Sequence, residues 1–222
     1  MRLYLSLSRK KDIILSFLLG FFVIDCMIMV VTFIPIFYDM QIESSGILNL
    51  VTLDKQTIAK NFHSIVHYLS FFYRGEMIVP DFVLSQNALR HFQDVKNIFD
   101  ILEIYLIISP FIIVPFIISC IKEHHFHFLR LTGTLILSMM IIIGIACLID
   151  FNQVFTLMHQ ILFRNSYWIM DPSIDPVINI FPESFFALLG GLLVSGIALI
   201  SVFMIGLYYY LRNHYLKKEG NI

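Results

Sequence analysis

The side chains best suited to moving protons in this chain are a few histidines and the acids spaced to meet them. His91 and Asp94 stand three residues apart, so on a helix they share one face, where the carboxylate fixes the tautomer of the imidazole and raises its basicity. That pairing suits general base catalysis, although the spacing also serves plain structural hydrogen bonding. His159 follows Phe155 by four residues and sits beside an apolar stripe of Phe151, Val154, Phe155, Met158 and Leu162. The stripe turns this imidazole toward protein or an interface and away from open water. His63 and His67 have the i, i+4 spacing of a metal-binding pair, but no glutamate follows His63 and no third ligand is evident, so no metal is expected. His124, His125 and His127 crowd a short polar connection that a solvated turn explains. Asp25 lies deep in an apolar run, where an ionisable group needs either a hydrogen-bonding partner or a functional role.

Composition decides which elements must position these groups. Of 222 residues, 58% are hydrophobic and 14% charged, against roughly half and a quarter in soluble domains. Four runs, about 13–37, 101–120, 131–149 and 185–211, are long enough at ~1.5 Å per residue to cross a hydrocarbon core of about 30 Å. The expectation is an all-α membrane protein, one membrane domain over 1–222, with four transmembrane helices joined by two large outer loops, about 38–100 and 150–184. Arg2, Arg9, Lys10, Lys11, Lys122, Arg130, Arg212, Lys217 and Lys218 concentrate in the three short segments. Cationic short segments resist translocation, so both termini are expected to be cytoplasmic. The first run is too long for a cleavable signal peptide and lacks a small-x-small site, which reads as a retained anchor. Cys26, Cys120 and Cys147 have no Cys-x-x-Cys spacing, and neither a disulfide nor thiol chemistry is expected.

Within the first loop, Asp54 can cap a helix whose apolar residues Ile58, Phe62, Ile65, Val66, Leu69 and Phe72 recur every three or four positions. That pattern predicts an amphipathic helix on the bilayer or on the other spans. Ser85 can cap a second helix from Gln86 to about Phe99 that leads into the second span, which Pro110 and Pro115 should bend. Positions 39–53 and 73–84 are compatible with short strands. In the second loop Asp150 can cap a helix from Phe151 to Phe163, and Asn165, Tyr167 and Trp168 favour the headgroup layer. Asp171, Pro172 and Asp175 mark a turn and a short helix before Phe181 and Pro182. Gly191 and Ser195 form a small-xxx-small pair that permits close helix approach. There is no nucleophile elbow, phosphate loop, dinucleotide fingerprint or zinc-protease motif. A formal charge of −1 gives no reason to expect nucleic-acid binding.

The segment His91-Phe92-Gln93-Asp94-Val95-Lys96 resembles the His-Met-x-Asp-Val-Lys signature of the bacterial lipoprotein intramolecular transacylases. The second loop is similar to that family's other signature through Phe151, Asn152, Phe155, His159, Phe163, Asn165, Trp168, Pro172, Asp175, Phe181-Pro182-Glu183 and Phe185-Phe186. Phe92 replaces the usual Met and Met158 stands where an aromatic is common, both keeping apolar bulk. The resemblance implies an acyltransferase at the extracytoplasmic side of the bacterial cytoplasmic membrane. One acyl chain of an S-diacylglyceryl cysteine moves to that cysteine's α-amino group, giving a lyso-form lipoprotein.

The same resemblance makes His91 and His159 the essential histidines and needs no cofactor. Its partners are a diacylated lipoprotein and membrane lipids. A histidine near its ordinary pKa of about 6.5 is an adequate base for an amine of pKa about 8. His91 oriented by Asp94 is the expected base, and His159 the group that stabilises the oxyanion or protonates the departing glycerol oxygen, although the two can exchange roles. Asn152, Phe155, Asn165, Trp168 and Asp175 are expected to shape the substrate pocket. Two other classes compete: a metal-dependent intramembrane hydrolase using His63, His67 and Asp25, and a non-enzymatic sensor or assembly factor.

Overall fold

The computed structural model describes the backbone of residues 2–219 and the side chains of residues 10–215. Its helices are α1 (Arg2–Phe33), α2 (Ile36–Asp39), α3 (Lys55–Leu69), α4 (Gln86–Lys122), α5 (His127–Ile149), α6 (Phe151–Leu162) and α7 (Glu183–Glu219), with 3-10 turns at Ile47–Asn49 and Pro176–Ile180. Among the described residues there is no strand, and 39–53 and 73–84 are turns and irregular backbone. Lys10–Phe33, Gln86–Lys122, His127–Ile149 and Glu183–Tyr215 are each long and apolar enough to cross a bilayer. The protein is therefore an all-α, multi-pass membrane protein.

Local chemistry explains the boundaries. The apolar run to Phe37 predicts a longer first helix, but Pro35 disfavours helical backbone at Ile34 and α1 stops at Phe33. Asp54 caps α3 by accepting from the Thr57 amide at 2.9 Å, and Asp150 caps α6 by accepting from the Gln153 amide at 2.9 Å. The helix predicted from Gln86 and the second span are one uninterrupted α4, in which Pro110 and Pro115 lie without ending it.

The chain divides into two compact units. One comprises Met1–Ile28, Tyr105–Ile145 and Leu193–Ile222. Its apolar clusters are small, one around Leu15, Ile113, Cys120 and Phe128 and another around Ile136, Met140 and Ile197. Small-xxx-small packing is predicted at Gly191, yet the space a Cβ would fill there is open. Close approaches occur at Gly133, where a Cβ would lie 2.7 Å from the Ser201 carbonyl oxygen on α7, and at Gly196, where it would meet the Met27 methyl of α1. Asp25 is fully buried in this unit, and Cys26 and Cys120 are free thiols, as is Cys147. The histidine cluster of the α4–α5 connection is packed rather than fully solvated. His125 Nδ1 lies 3.1 Å from Asp12 Oδ1, and His127 Nδ1 is 3.3 Å from the Tyr208 hydroxyl. Of the cationic groups that bear on orientation, the side chains of Arg2, Arg9, Lys217 and Lys218 lie outside the described residues.

The other unit, Met29–Ile104 and Ala146–Leu192, holds the larger core. The apolar face of α3, with Ile58, Phe62, Ile65, Val66 and Leu69, is buried there against Tyr38, Val177, Ile180 and Phe185. Tyr38 stacks on Phe62 at 3.7 Å between ring centroids, with Phe185 edge-on at 5.1 Å; such pairs contribute about 0.5–1.5 kcal/mol beyond area burial. The Tyr38 hydroxyl donates to the Ile180 carbonyl at 2.8 Å, joining the first loop to the second. Fully buried Asn61 donates to Asp81 Oδ2 at 2.9 Å and accepts from the Asp81 amide at 3.0 Å, which fastens the irregular 73–84 stretch to α3.

Candidate active site

His91 and His159 both lie in the second unit, and their rings face each other with centroids 6.2 Å apart. His91 occupies the second turn of α4. The start of that helix is held by Ser85, whose hydroxyl accepts from the Ala88 amide at 3.1 Å. The Asp175 carboxylate in turn accepts from the Ser85 amide at 2.7 Å and from the Ser85 hydroxyl at 2.8 Å. His159 projects from α6 toward Phe155, 4.1 Å away between ring centroids, and Trp168, 4.9 Å away. Buried Phe163 contacts both imidazoles, at 4.9 Å from His91 and 5.6 Å from His159.

Hydrogen bonding distinguishes the two histidines. His159 Nδ1 is 2.8 Å from the Phe155 carbonyl oxygen; a carbonyl only accepts, so Nδ1 carries the proton and Nε2 presents a lone pair. Burial holds the pKa of His159 below its ordinary 6.5, with the Phe155 carbonyl opposing that shift. The ring is therefore neutral and basic at Nε2 near pH 7. His91 Nδ1 is buried and has no hydrogen-bond partner, a group left to be satisfied by something that enters the site. Among the described residues, no hydroxyl or thiol is hydrogen-bonded to either imidazole.

Asp94 does not bond to His91. Its Oδ2 accepts from Asn165 Nδ2 at 2.9 Å. Asn165 is a junction: its Oδ1 accepts from the Tyr167 amide at 3.0 Å and its carbonyl from Trp168 Nε1 at 3.0 Å. The helix carrying His91 is thereby tied to the segment that lays Trp168 on His159. Arg90 adds a second tie, 3.1 Å from the Tyr167 hydroxyl with its guanidinium 5.5 Å from that ring centroid. Sequence spacing gave no signal for the Arg90–Tyr167 tie, because its partners lie in different loops.

Two of the predicted pocket residues are placed elsewhere. Asn152 begins α6, two turns before His159, and its amide is 3.5 Å from Glu183 Oε2. Asp175 is buried with both carboxylate oxygens taken by Ser85. His63 Nε2 lies 3.1 Å from Asp39 Oδ1. Among the described residues no group of three or more His, Cys, Asp or Glu side chains is arranged to hold a metal.

Two imidazoles of different hydrogen-bonding state, walled by aromatic rings, can move a proton between nitrogen and oxygen without a covalent protein nucleophile. The model of the lipoprotein intramolecular transacylase Lit matches residues 13–186. The chain belongs to the Lit family. It is similar to the solved structure of the membrane integral Lit of Bacillus cereus, with a TM-score of 0.90 and 29% identity over 98% of this chain and 99% of that one. Two further structures of the B. cereus protein, one with a histidine replaced by arginine and one with a histidine replaced by alanine, give TM-scores of 0.85 and 0.84 at 28% identity. These cover 98% of both chains and 100% of both chains, respectively. No curated protein matches the chain significantly. Membership of the Lit family makes the protein a lipoprotein intramolecular transacylase, an acyltransferase.

Proposed function

We propose that the chain moves one acyl chain from the diacylglyceryl group of a lipoprotein's N-terminal cysteine to that cysteine's own α-amino group. The product is N-acylated and keeps a single acyl chain on the glycerol. The observation that carries this reading is the 6.2 Å approach of the His91 and His159 rings. Amine and ester belong to one molecule, so the protein has mainly to hold them in reacting geometry, where effective molarities reach about 10⁵ M or more.

His159 Nε2 takes the proton from the substrate ammonium. The freed amine attacks the ester carbonyl carbon, a C–N bond forms, and His91 donates a hydrogen bond to the developing oxyanion. The ester C–O bond then breaks, the glycerol oxygen receives a proton from the His159 imidazolium, and the attacking nitrogen gives up its second proton through the regenerated His159 Nε2 to solvent, leaving the neutral amide. No water is consumed and the lipoprotein's mass is unchanged. Asp94, through Asn165, positions Trp168 on His159, and Phe155 completes the wall. Asn152 and Asp175 act at one remove from the site, Asn152 in the first turn of the helix that carries His159 and Asp175 by holding Ser85 at the start of α4. The whole chain, 1–222, serves as one domain of the bacterial cytoplasmic membrane, with the histidines at its extracytoplasmic face. Lys10, Lys11, Lys122, Arg130 and Arg212 in the short segments support that orientation.

His91→Ala and His159→Ala, expressed separately in a bacterium that makes only diacyl lipoproteins, should each reduce lyso-form product by about 10²-fold or more. The measurement is fragmentation mass spectrometry of lipoprotein N-terminal peptides. Unchanged lyso-form output from both variants would overturn the assignment. In wild-type protein the rate should fall as pH drops through a midpoint below 6.5, because His159 must be neutral to accept the proton and burial depresses its pKa. A midpoint above 6.5 would remove His159 from the base role.

A further inference from the structure

A second cleft in the second unit lies away from the histidine pair. It has a volume of about 640 Å³, within the ~300–1,000 Å³ range of ligand sites. Gln56, Lys60, His63, Ser64 and His67 of α3 form one side, Tyr73, Glu76 and Ile78 the other, and Tyr68 is part of the lining. The lining is rich in donors and acceptors: an amide, an ammonium, two imidazoles and a hydroxyl along one helix. Apolar surface of Ala59, Ile78, Tyr68 and Tyr73 lies between these groups, and a lining that mixes apolar surface with donors and acceptors suits an extended polypeptide, which presents an N–H, a C=O and a side chain at every residue, better than a bare acyl chain. Tyr73 is folded over its own loop, its hydroxyl donating to the Glu76 carbonyl at 3.0 Å and its ring packed on His67 at 4.7 Å.

The cleft is mechanically joined to α4. The Tyr68 hydroxyl donates to Gln93 Oε1 at 2.9 Å, and Lys96 Nζ lies 5.6 Å from the Tyr68 ring centroid while donating to the Ser70 carbonyl at 2.9 Å. Gln93 follows His91 by two residues, so the two project from opposite sides of one turn of α4, at about 100° per residue. A chain leaving the imidazoles must therefore round a helix about 10 Å across. Half its circumference is about 16 Å, which at ~3.3 Å per extended residue takes about five residues.

We infer that this cleft is the subsite for the lipoprotein polypeptide from about the sixth residue after the acylated cysteine onward. The inference rests on the transacylase reading and adds to it a site for the protein part of the substrate, distinct from the site of the ester. Binding there raises the effective concentration of the cysteine at the imidazoles and leaves the chemical step alone.

The test uses the purified full chain with two synthetic substrates, a diacylglyceryl cysteine followed by one residue and the same lipid followed by eight. Two variants are compared with wild type: the exposed double replacement Lys60→Ala with His67→Ala, and Ser64→Trp, which fills the cleft. Both should raise KM for the long substrate by about tenfold and leave kcat on both substrates, and KM for the short one, unchanged. Equal KM effects on the two substrates, a fall in kcat, or no effect on either would overturn the subsite. Wild-type protein inactive on both substrates would overturn the transacylase reading itself, and the subsite with it.

Discussion

Polar side chains within the apolar stretches of one unit and those around the His91–His159 pair of the other are bonded differently. In the helix unit the polar side chains within the apolar stretches bond to backbone carbonyls: Ser16 to Asp12, Ser138 to Thr134, Ser201 to Ile197 and Tyr105 to Leu18. In the unit that holds His91 and His159, side chain meets side chain across large sequence separations, 90 residues for Ser85 and Asp175 and 71 for Asn165 and Asp94. A carbonyl already bonded in its helix loses little when a hydroxyl leaves, whereas a side chain built for one partner is stranded without it. Spanning helices need only to fit, but a site that must hold an amine against an ester needs specific pairs.

That contrast is strongest at Asn165. Asn165→Ala should lower kcat by about 10- to 100-fold with the protein still folded, because the side-chain bonds to Asp94 and to the Tyr167 amide are lost and the backbone carbonyl that holds Trp168 is no longer fixed in place; an unaltered kcat would mean that the junction is not used. Asp175→Ala should lower stability by about 2 kcal/mol, read as an earlier thermal unfolding transition in detergent, since the Ser85 cap of α4 loses two charge-assisted hydrogen bonds. The smallest effect belongs to the helix unit. Ser201→Ala, although fully buried, should change stability by no more than about 0.5 kcal/mol and leave activity intact. A loss at Ser201 as large as that at Asp175 would erase the distinction between the units.

Much of this was legible from residue pattern. Four apolar runs, the caps at Asp54, Ser85 and Asp150, and the amphipathic period of α3 are local signals, each read within one or two helical turns. The histidines were legible too, and the motifs around them carried the family. The roles of their neighbours were not. Spacing on one helix put Asp94 beside His91, but Asn165 claimed that carboxylate. Asp175 read as part of the pocket and turned out to hold the start of α4. The expected packing at Gly191 moved to Gly133.

By itself, the sequence determined that the chain crosses a membrane as helices, where α3, α4 and α6 are capped, and which two imidazoles the motifs single out, because hydropathy, capping and periodicity act over a few residues. Only the tertiary structure decided which nitrogen of His159 meets the Phe155 carbonyl, which partner each carboxylate takes and where a cleft opens beside Tyr68. Those properties arise from contacts between residues far apart in the chain, and no local pattern encodes them.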